Sequence, residues 1–202
     1  MIFSLVAGIV AGLVHVVSGP DHLAAVAPLA ARPGDRLQWR AGFVWGVGHT
    51  SGVLLIGLLL IAFRSLLPLD AISAYSERLV GLALVALGVW AALRARDFHR
   101  DPTRPHSHPT EGASFAMGAL HGLAGSSHLF GVLPALALPT EARALGYLGG
   151  FGVGAVVAMT VFAVAVGMLA SRAGRRSRHA FQTMLYACSL SAFVVGSFWL
   201  IA

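Results

Sequence analysis

Two histidines and a carboxylate stand in an otherwise apolar stretch: residues 15–22 read HVVSGPDH and supply His15, Asp21 and His22. Residues 46–52 read GVGHTSG and set His49 among glycines. Residues 119–130 read ALHGLAGSSHLF and add His121 and His128. Imidazoles with one carboxylate suit nickel, cobalt, zinc or iron(II), whereas magnesium and calcium prefer all-oxygen shells. Asp21 is the only acid well inside an apolar span, and a lone charge at a bilayer centre costs at least about 2.5–3.5 kcal/mol. A bound cation, a protonated histidine or a proton on Asp21 itself would offset that cost. The alternative role for these side chains is structural: Asp21 and His22 cap a half-helix, and polar groups tie helices together in lipid.

One ion can serve both histidines only if the helix breaks between them. On an unbroken helix His15 and His22 would lie about 10.5 Å apart, too far for metal–imidazole bonds of about 2 Å. Gly19-Pro20 supplies the break, because Pro lacks an N–H and clashes with the preceding turn. Pro also suits the first turn of a new helix, with Ser18 or Gly19 as its N-cap. His49 is flanked at helical spacings by Gly42, Gly46, Gly48 and Gly52, which let another helix approach closely. That approach would bring His49 beside the break, with Thr50 and Ser51 as nearby oxygens. Its alternative role is an interhelical hydrogen bond. His121 and His128 are candidates to complete the site from the other half or to form a second station, or for a scaffold that holds a second break. His99, His106 and His108 fall in a polar, proline-rich stretch and are read as part of a solvated linker. Cys188, Met117 and Met159 are read as packing residues.

The elements that must position these groups follow from composition. The 202 residues are 57% hydrophobic and 11% charged, with mean hydropathy +0.79; soluble domains carry about 25% charged residues. The chain is therefore expected to be an all-α polytopic membrane protein. Six spans are expected, at roughly 2–31, 39–63, 75–95, 113–138, 143–170 and 181–201. The first is read as a retained span rather than a signal peptide, since its first cation is Arg32. All 14 basic residues are Arg and sit mainly in the gaps, which points to membrane topology and away from nucleic acid. Eleven of them fall in loops 1–2, 3–4 and 5–6, and three (Arg64, Arg78, Arg143) on the other side. Basic residues favour the cytoplasm, so those three loops are placed there, with both termini outside, in a cell's inner (plasma) membrane. One cysteine excludes an intrachain disulfide.

An internal repeat runs at an offset of 106 residues. It lays GLVHVVSGPDHLAAVAP (12–28) on GALHGLAGSSHLFGVLP (118–134), so that His15 and His22 fall on His121 and His128. The same offset lays Gly46 and Gly48 on Gly152 and Gly154, but His49 on Ala155 and Asp21 on Ser127. Three spans per half force the halves into opposite orientations, and inverted repeats with broken helices meeting near the midplane are a transporter arrangement. The expected organisation is a first three-helix repeat over 1–96, a cytoplasmic His-containing loop over 97–112 and a second three-helix repeat over 113–202. The first helix of each repeat is expected to be broken.

At HVVSGPDHLAA the chain resembles the UreH-type branch of the nickel/cobalt transporter (NicO) superfamily, small permeases with a His-x4/5-Asp-His signature in an early helix. GVGHTSG is similar to that family's Gly-His-Ser/Thr motif, and HGLAGSSH to the Gly-Ser-rich second-half motif of the branch. The extra residue between His15 and Asp21, and the six spans, fit the UreH branch rather than the eight-span permeases. The resemblance implies movement of Ni²⁺ or a related divalent ion, often for urease or hydrogenase maturation.

The function expected is a permease, not an enzyme, for Ni²⁺ first and Co²⁺ next. The ion is substrate rather than cofactor. It would bind near the midplane through His15, Asp21, His22 and His49 and be moved by alternating access, with a cytoplasmic metallochaperone as candidate partner. No Walker-type P-loop is present. Three alternatives compete. An intramembrane serine protease could draw on Ser126 and Ser127, although the sequence has no Gly-x-Ser-Gly. A haem protein could use two axial histidines. An exporter of another small substrate could use the same fold.

Overall fold

The computed structural model describes residues 1–31, 37–63, 69–100, 110–123 and 126–201; the side chains of 60–63, 69–74, 76, 99–100 and 126–130 lie outside the description. Eight helices follow in order: α1 (Ile2–Ser18), α2 (Pro20–Ala30), α3 (Gln38–Phe63), α4 (Leu69–Arg100), α5 (Glu111–Leu123), α6 (Ser126–Leu136), α7 (Glu141–Arg176) and α8 (Arg178–Ile201). Among the described residues, α3, α4, α7 and α8 are each long and apolar enough to cross a bilayer. The α1–α2 pair adds a fifth crossing if counted as one span bent by 75°. The chain is thus an all-helical polytopic membrane protein. Its exposed faces carry large apolar side chains such as Val161, Leu190, Val194 and Phe198, which lipid tails cover without penalty.

The expected break at Gly19-Pro20 is present. Gly19 is extended (φ −92°, ψ 103°) and serves as N-cap of α2, with Pro20 in the first turn. Ser18, the other candidate cap, instead donates its hydroxyl to the His15 carbonyl at 3.2 Å. The break expected in the fourth span is likewise present, α5 ending at Leu123 and α6 beginning at Ser126. Two boundaries move because polar residues can continue a helix beyond a bilayer. The stretch 97–112, expected to be all loop, is helical to Arg100, and α7 runs on to Arg176 instead of ending near 170.

Glycines set which helices touch. A Cβ on Gly8 or Gly12 of α1 would strike the carbonyl oxygens of Tyr147 and Phe151 on α7. Gly150 and Gly154 of α7 stand in the same relation to Leu5 and Ile9 of α1. These contacts climb in the same chain order, so α1 and α7 run parallel. Gly48 and Gly52 of α3 meet the Phe115 and Ala119 carbonyls of α5, and Gly118 and Gly122 meet those of Trp45 and His49; α3 and α5 are parallel too. Backbone approach of this kind is what small residues contribute inside membranes. The two pairs are related residue by residue at the 106 offset: Gly12–Phe151 falls on Gly118–Trp45, and Ile9–Gly154 on Phe115–Gly48. The remaining pair, α4 and α8, is antiparallel: a Cβ on Gly81 or Gly196 would fall 2.8 or 2.7 Å from the other's carbonyl oxygen, while one on Gly88 would meet Ser189 and Phe193.

Candidate metal centre

Four helices deliver five ionisable side chains to one place inside this bundle: His15 from α1, Asp21 and His22 from α2, His49 from α3 and His121 from α5. The break does what the spacing asked of it, since the His15 and His22 ring centroids are 4.6 Å apart. His22 presents Nε2 to His49 Nε2 at 3.1 Å and Nδ1 to Asp21 Oδ1 at 3.1 Å. The second Asp21 oxygen, Oδ2, accepts from His121 Nε2 at 2.9 Å. Asp21, His22, His49 and His121 are buried, and His15 is half-buried.

These separations are those of ligands on one ion. With metal–imidazole bonds of about 2.0–2.1 Å, two donors at angles between 90° and tetrahedral stand about 2.9–3.4 Å apart. The donor atoms form two overlapping groups, His15–His22–His49 and Asp21–His22–His121, each with its atoms within 4.8 Å of one another. His121, read as completing the site from the other half or as a second station, lies against Asp21 itself. His128 lies outside the described side chains, as do Ser126, Ser127 and His99; His106 and His108 lie outside the described residues altogether.

Local sequence explains the convergence. A Cβ on Gly19 would run into His22 Nδ1 and lie 2.8 Å from Asp21 Oδ1, so only glycine leaves these atoms their positions. Gly122, next to His121, packs on the His49 carbonyl, which locks α5 against α3 at the level of both histidines. Thr50 and Ser51 supply no oxygen to the cluster. Their hydroxyls donate to the Gly152 carbonyl at 3.3 Å and the Val47 carbonyl at 2.8 Å. Met159 belongs to the core, and Met117 and Cys188 pack against it.

Three residues emerge only in three dimensions. Trp45, 1% exposed, stacks on His49 with centroids 5.7 Å apart and lies 5.0 Å from His121. Its repeat equivalent Phe151 lies 5.2 Å from His15, so each half places an aromatic ring beside the other half's first histidine. The 106 offset that aligned the histidines would have paired these rings as well. Arg94, counted from sequence among the cytoplasmic loop cations, is instead buried. It donates to the Pro28 carbonyl at the end of α2, 3.4 Å away, and stacks over Trp90.

A cavity of about 790 Å³ reaches the cluster between α1, α6, α7 and α8. His15, Asp21 and His22 lie on its lining; His49 and His121 do not. Tyr147 spans its wall by donating to the Gly131 carbonyl at 3.0 Å.

The chain is 31% identical over 189 residues to the urease accessory protein UreH of Bacillus sp. (strain TB-90), a match covering 86% of this chain and 80% of that protein. It is 32% identical over 200 residues to the chloroplast protein FOR GROWTH AND FERTILITY 2 of Arabidopsis thaliana. With FOR GROWTH AND FERTILITY 1 of the same plant it shares 31% over 206 residues. Both plant matches cover 94% of this chain, which spans about half the length of those proteins (54% and 56%). No family model and no solved structure matches. Identity of 31% sustained across most of both chains places this protein in the UreH family.

Proposed function

We propose that the chain is a membrane permease for a divalent transition-metal ion, Ni²⁺ first and Co²⁺ next. The ion is held where His15, Asp21, His22, His49 and His121 converge. One observation carries the reading: a carboxylate and four imidazoles gather in two groups with donor atoms within 4.8 Å inside a largely apolar bundle, His22–His49 and Asp21–His121 at 3.1 and 2.9 Å. Helices can be held together in lipid by far fewer polar groups, and intramembrane ionisable clusters mark ion pathways. A bound dication offsets the cost of keeping Asp21 charged there. The name of the UreH relative, a urease accessory protein, agrees with nickel as cargo.

Alternating access is supported by how the helices pair. α1 packs on α7 and α3 on α5 through contacts that repeat at the 106 offset, so the first two spans of each half embrace those of the other. Parallel α1 and α7 require an odd number of crossings between them. Three result, α3, α4 and α5–α6, if α1–α2 and α5–α6 each cross once, giving six spans in two inverted halves. The cavity's lining includes residues near the end of α8 and the start of α7, the side assigned outside by the arginine distribution without Arg94. A cytoplasmic metallochaperone is the partner this orientation allows, and the protein catalyses no reaction. A haem reading would need two imidazoles about 4 Å apart with a macrocycle between them, and His22 and His49 do not offer that spacing.

The test is nickel and cobalt accumulation in cells expressing the wild-type chain, Asp21→Asn and His22→Ala at matched levels. Both variants are expected to lose accumulation. Wild-type uptake in either would remove the cluster from the transport path.

A further inference from the structure

The two donor groups share one residue, and they share it through opposite edges of its ring. His22 Nε2 is 3.1 Å from His49 Nε2, and His22 Nδ1 is 3.1 Å from Asp21 Oδ1. A neutral imidazole has a single lone pair: it binds through Nε2 while Nδ1 carries the proton, or the reverse. The ring can therefore serve one group or the other, but not both at once without becoming an anion. Two dications on either side of one ring would also repel each other strongly in an apolar interior.

We propose that the chain holds two alternative three-ligand stations for a single ion, hinged on His22: His15, His22 Nε2 and His49 form one, and Asp21, His22 Nδ1 and His121 the other. The proposal rests on the metal-permease reading and divides its site in two. Each station has two members on the cavity lining, His15 and His22 in the first and Asp21 and His22 in the second, and one buried imidazole away from it. They differ in chemistry: the first is three neutral imidazoles, and the second contains the carboxylate. Asp21 changes role between them. While the ion is on Nε2, the carboxylate faces the Nδ1 proton and orients the ring, as outer-shell carboxylates do for metal-bound histidines. Once the ion has passed the ring, Asp21 is a direct ligand.

Cobalt(II) tests this, because its visible absorption reports ligand type and geometry. The full chain in lipid nanodiscs is titrated with Co²⁺ as wild type, His49→Gln, His121→Gln and His22→Gln, with circular dichroism confirming helicity. A variant that fails to fold is replaced by its Asn counterpart. Wild type is expected to hold one Co²⁺ per chain. His49→Gln and His121→Gln each still hold one, about 10–100-fold more weakly, with spectra that differ from one another. His22→Gln holds none at concentrations that fill the other two. In vesicles, both single-station variants move less than about a tenth of the wild-type cobalt, an added barrier of about 1.4 kcal/mol or more. Two ions per wild-type chain, outright loss of Co²⁺ in His49→Gln or His121→Gln, matching spectra, or wild-type transport by either would overturn the two-station proposal. If wild type binds neither Co²⁺ nor Ni²⁺, it is the permease reading that falls.

Discussion

His22 and His49 are 27 residues apart in sequence, yet their Nε2 atoms lie 3.1 Å from each other across the α2–α3 contact. At that distance the two nitrogens can share a proton or, at a slightly wider angle, an ion. Burying both rings commits polar groups that an apolar interior must satisfy, and the relationship sets His49 beside the more conspicuous HVVSGPDH residues.

Replacing His49 by Ala is accordingly expected to cut nickel accumulation at least tenfold while leaving protein levels intact. Thr50→Val, next to it, should leave transport within about twofold, because the Thr50 hydroxyl donates to the Gly152 carbonyl and not to the cluster. Accumulation assays on the two variants in parallel separate a ligand from a neighbour.

Much of this centre was legible in the sequence because charge and imidazole are conspicuous against lipid-soluble residues. His15, Asp21, His22 and His49 were found on that ground, and His121 by the 106 offset from His15. Trp45 and Phe151 were not, since an aromatic ring inside a span looks like any lipid-facing or core residue until its neighbours are known. Arg94 was misplaced for a related reason. It lies four residues from Trp90 near the polar end of α4, where burial against α2 has no sequence mark. Helix ends were misjudged because polarity marks where the bilayer stops, not where the hydrogen-bonded ladder stops: Asp97 and Arg100 are polar and still helical. The convergence of His121 on Asp21 depends on α5 lying along α3, a pairing that glycine spacing permits without specifying.

Asp21→Asn should separate function from stability. The amide oxygen can still accept from His121, so the helices remain tied together, while the charge that attracts a dication is gone. Nickel affinity is expected to fall roughly 10–100-fold. Thermal unfolding of the ion-free protein in detergent should shift little or move upward, because an uncompensated carboxylate no longer has to be held in an apolar interior. A large drop in melting temperature would mean that Asp21 is chiefly a structural tie.

Proton competition follows from the donor set. An imidazole must be neutral to bind a metal, so ion binding releases any protons the cluster carried, and affinity weakens as pH falls. Titrating Ni²⁺ into the purified protein in a weakly buffered solution should liberate protons, more of them at lower pH. His22→Gln, which removes the shared ligand, should release few at any pH. Proton release unaffected by that substitution would place its source elsewhere.

Gly19→Ala probes the break itself. The backbone there is extended with negative φ, which alanine adopts readily, so the bend should survive. The new methyl would, however, occupy the space of His22 Nδ1. The expected outcome is a folded, inserted protein with unchanged circular dichroism and metal binding weakened at least tenfold.

The glycine contacts that mirror each other across the repeat make the last prediction. Gly12 and Gly118 occupy equivalent positions, one against the Phe151 carbonyl of α7 and the other against the Trp45 carbonyl of α3. Valine at either should push its helix pair apart and destabilise the bundle by about 1–3 kcal/mol, the usual cost of overpacking. The two substitutions should resemble each other more than either resembles Gly149→Val, because Gly149 has nothing within 4 Å. Unfolding of the three variants in a common detergent reads the difference directly. The functional consequences should still diverge. Gly118 packs on the helix that carries His49, so Gly118→Val moves α5 and α3 apart and separates His121 from that ring. Gly12→Val disturbs the α1–α7 contact beside His15 and Phe151 and leaves the His49–His121 side in place. Nickel binding should therefore weaken in both, but cobalt absorption should report loss of different ligands. If the two spectra coincide, the mirrored contacts do not position separate halves of the site.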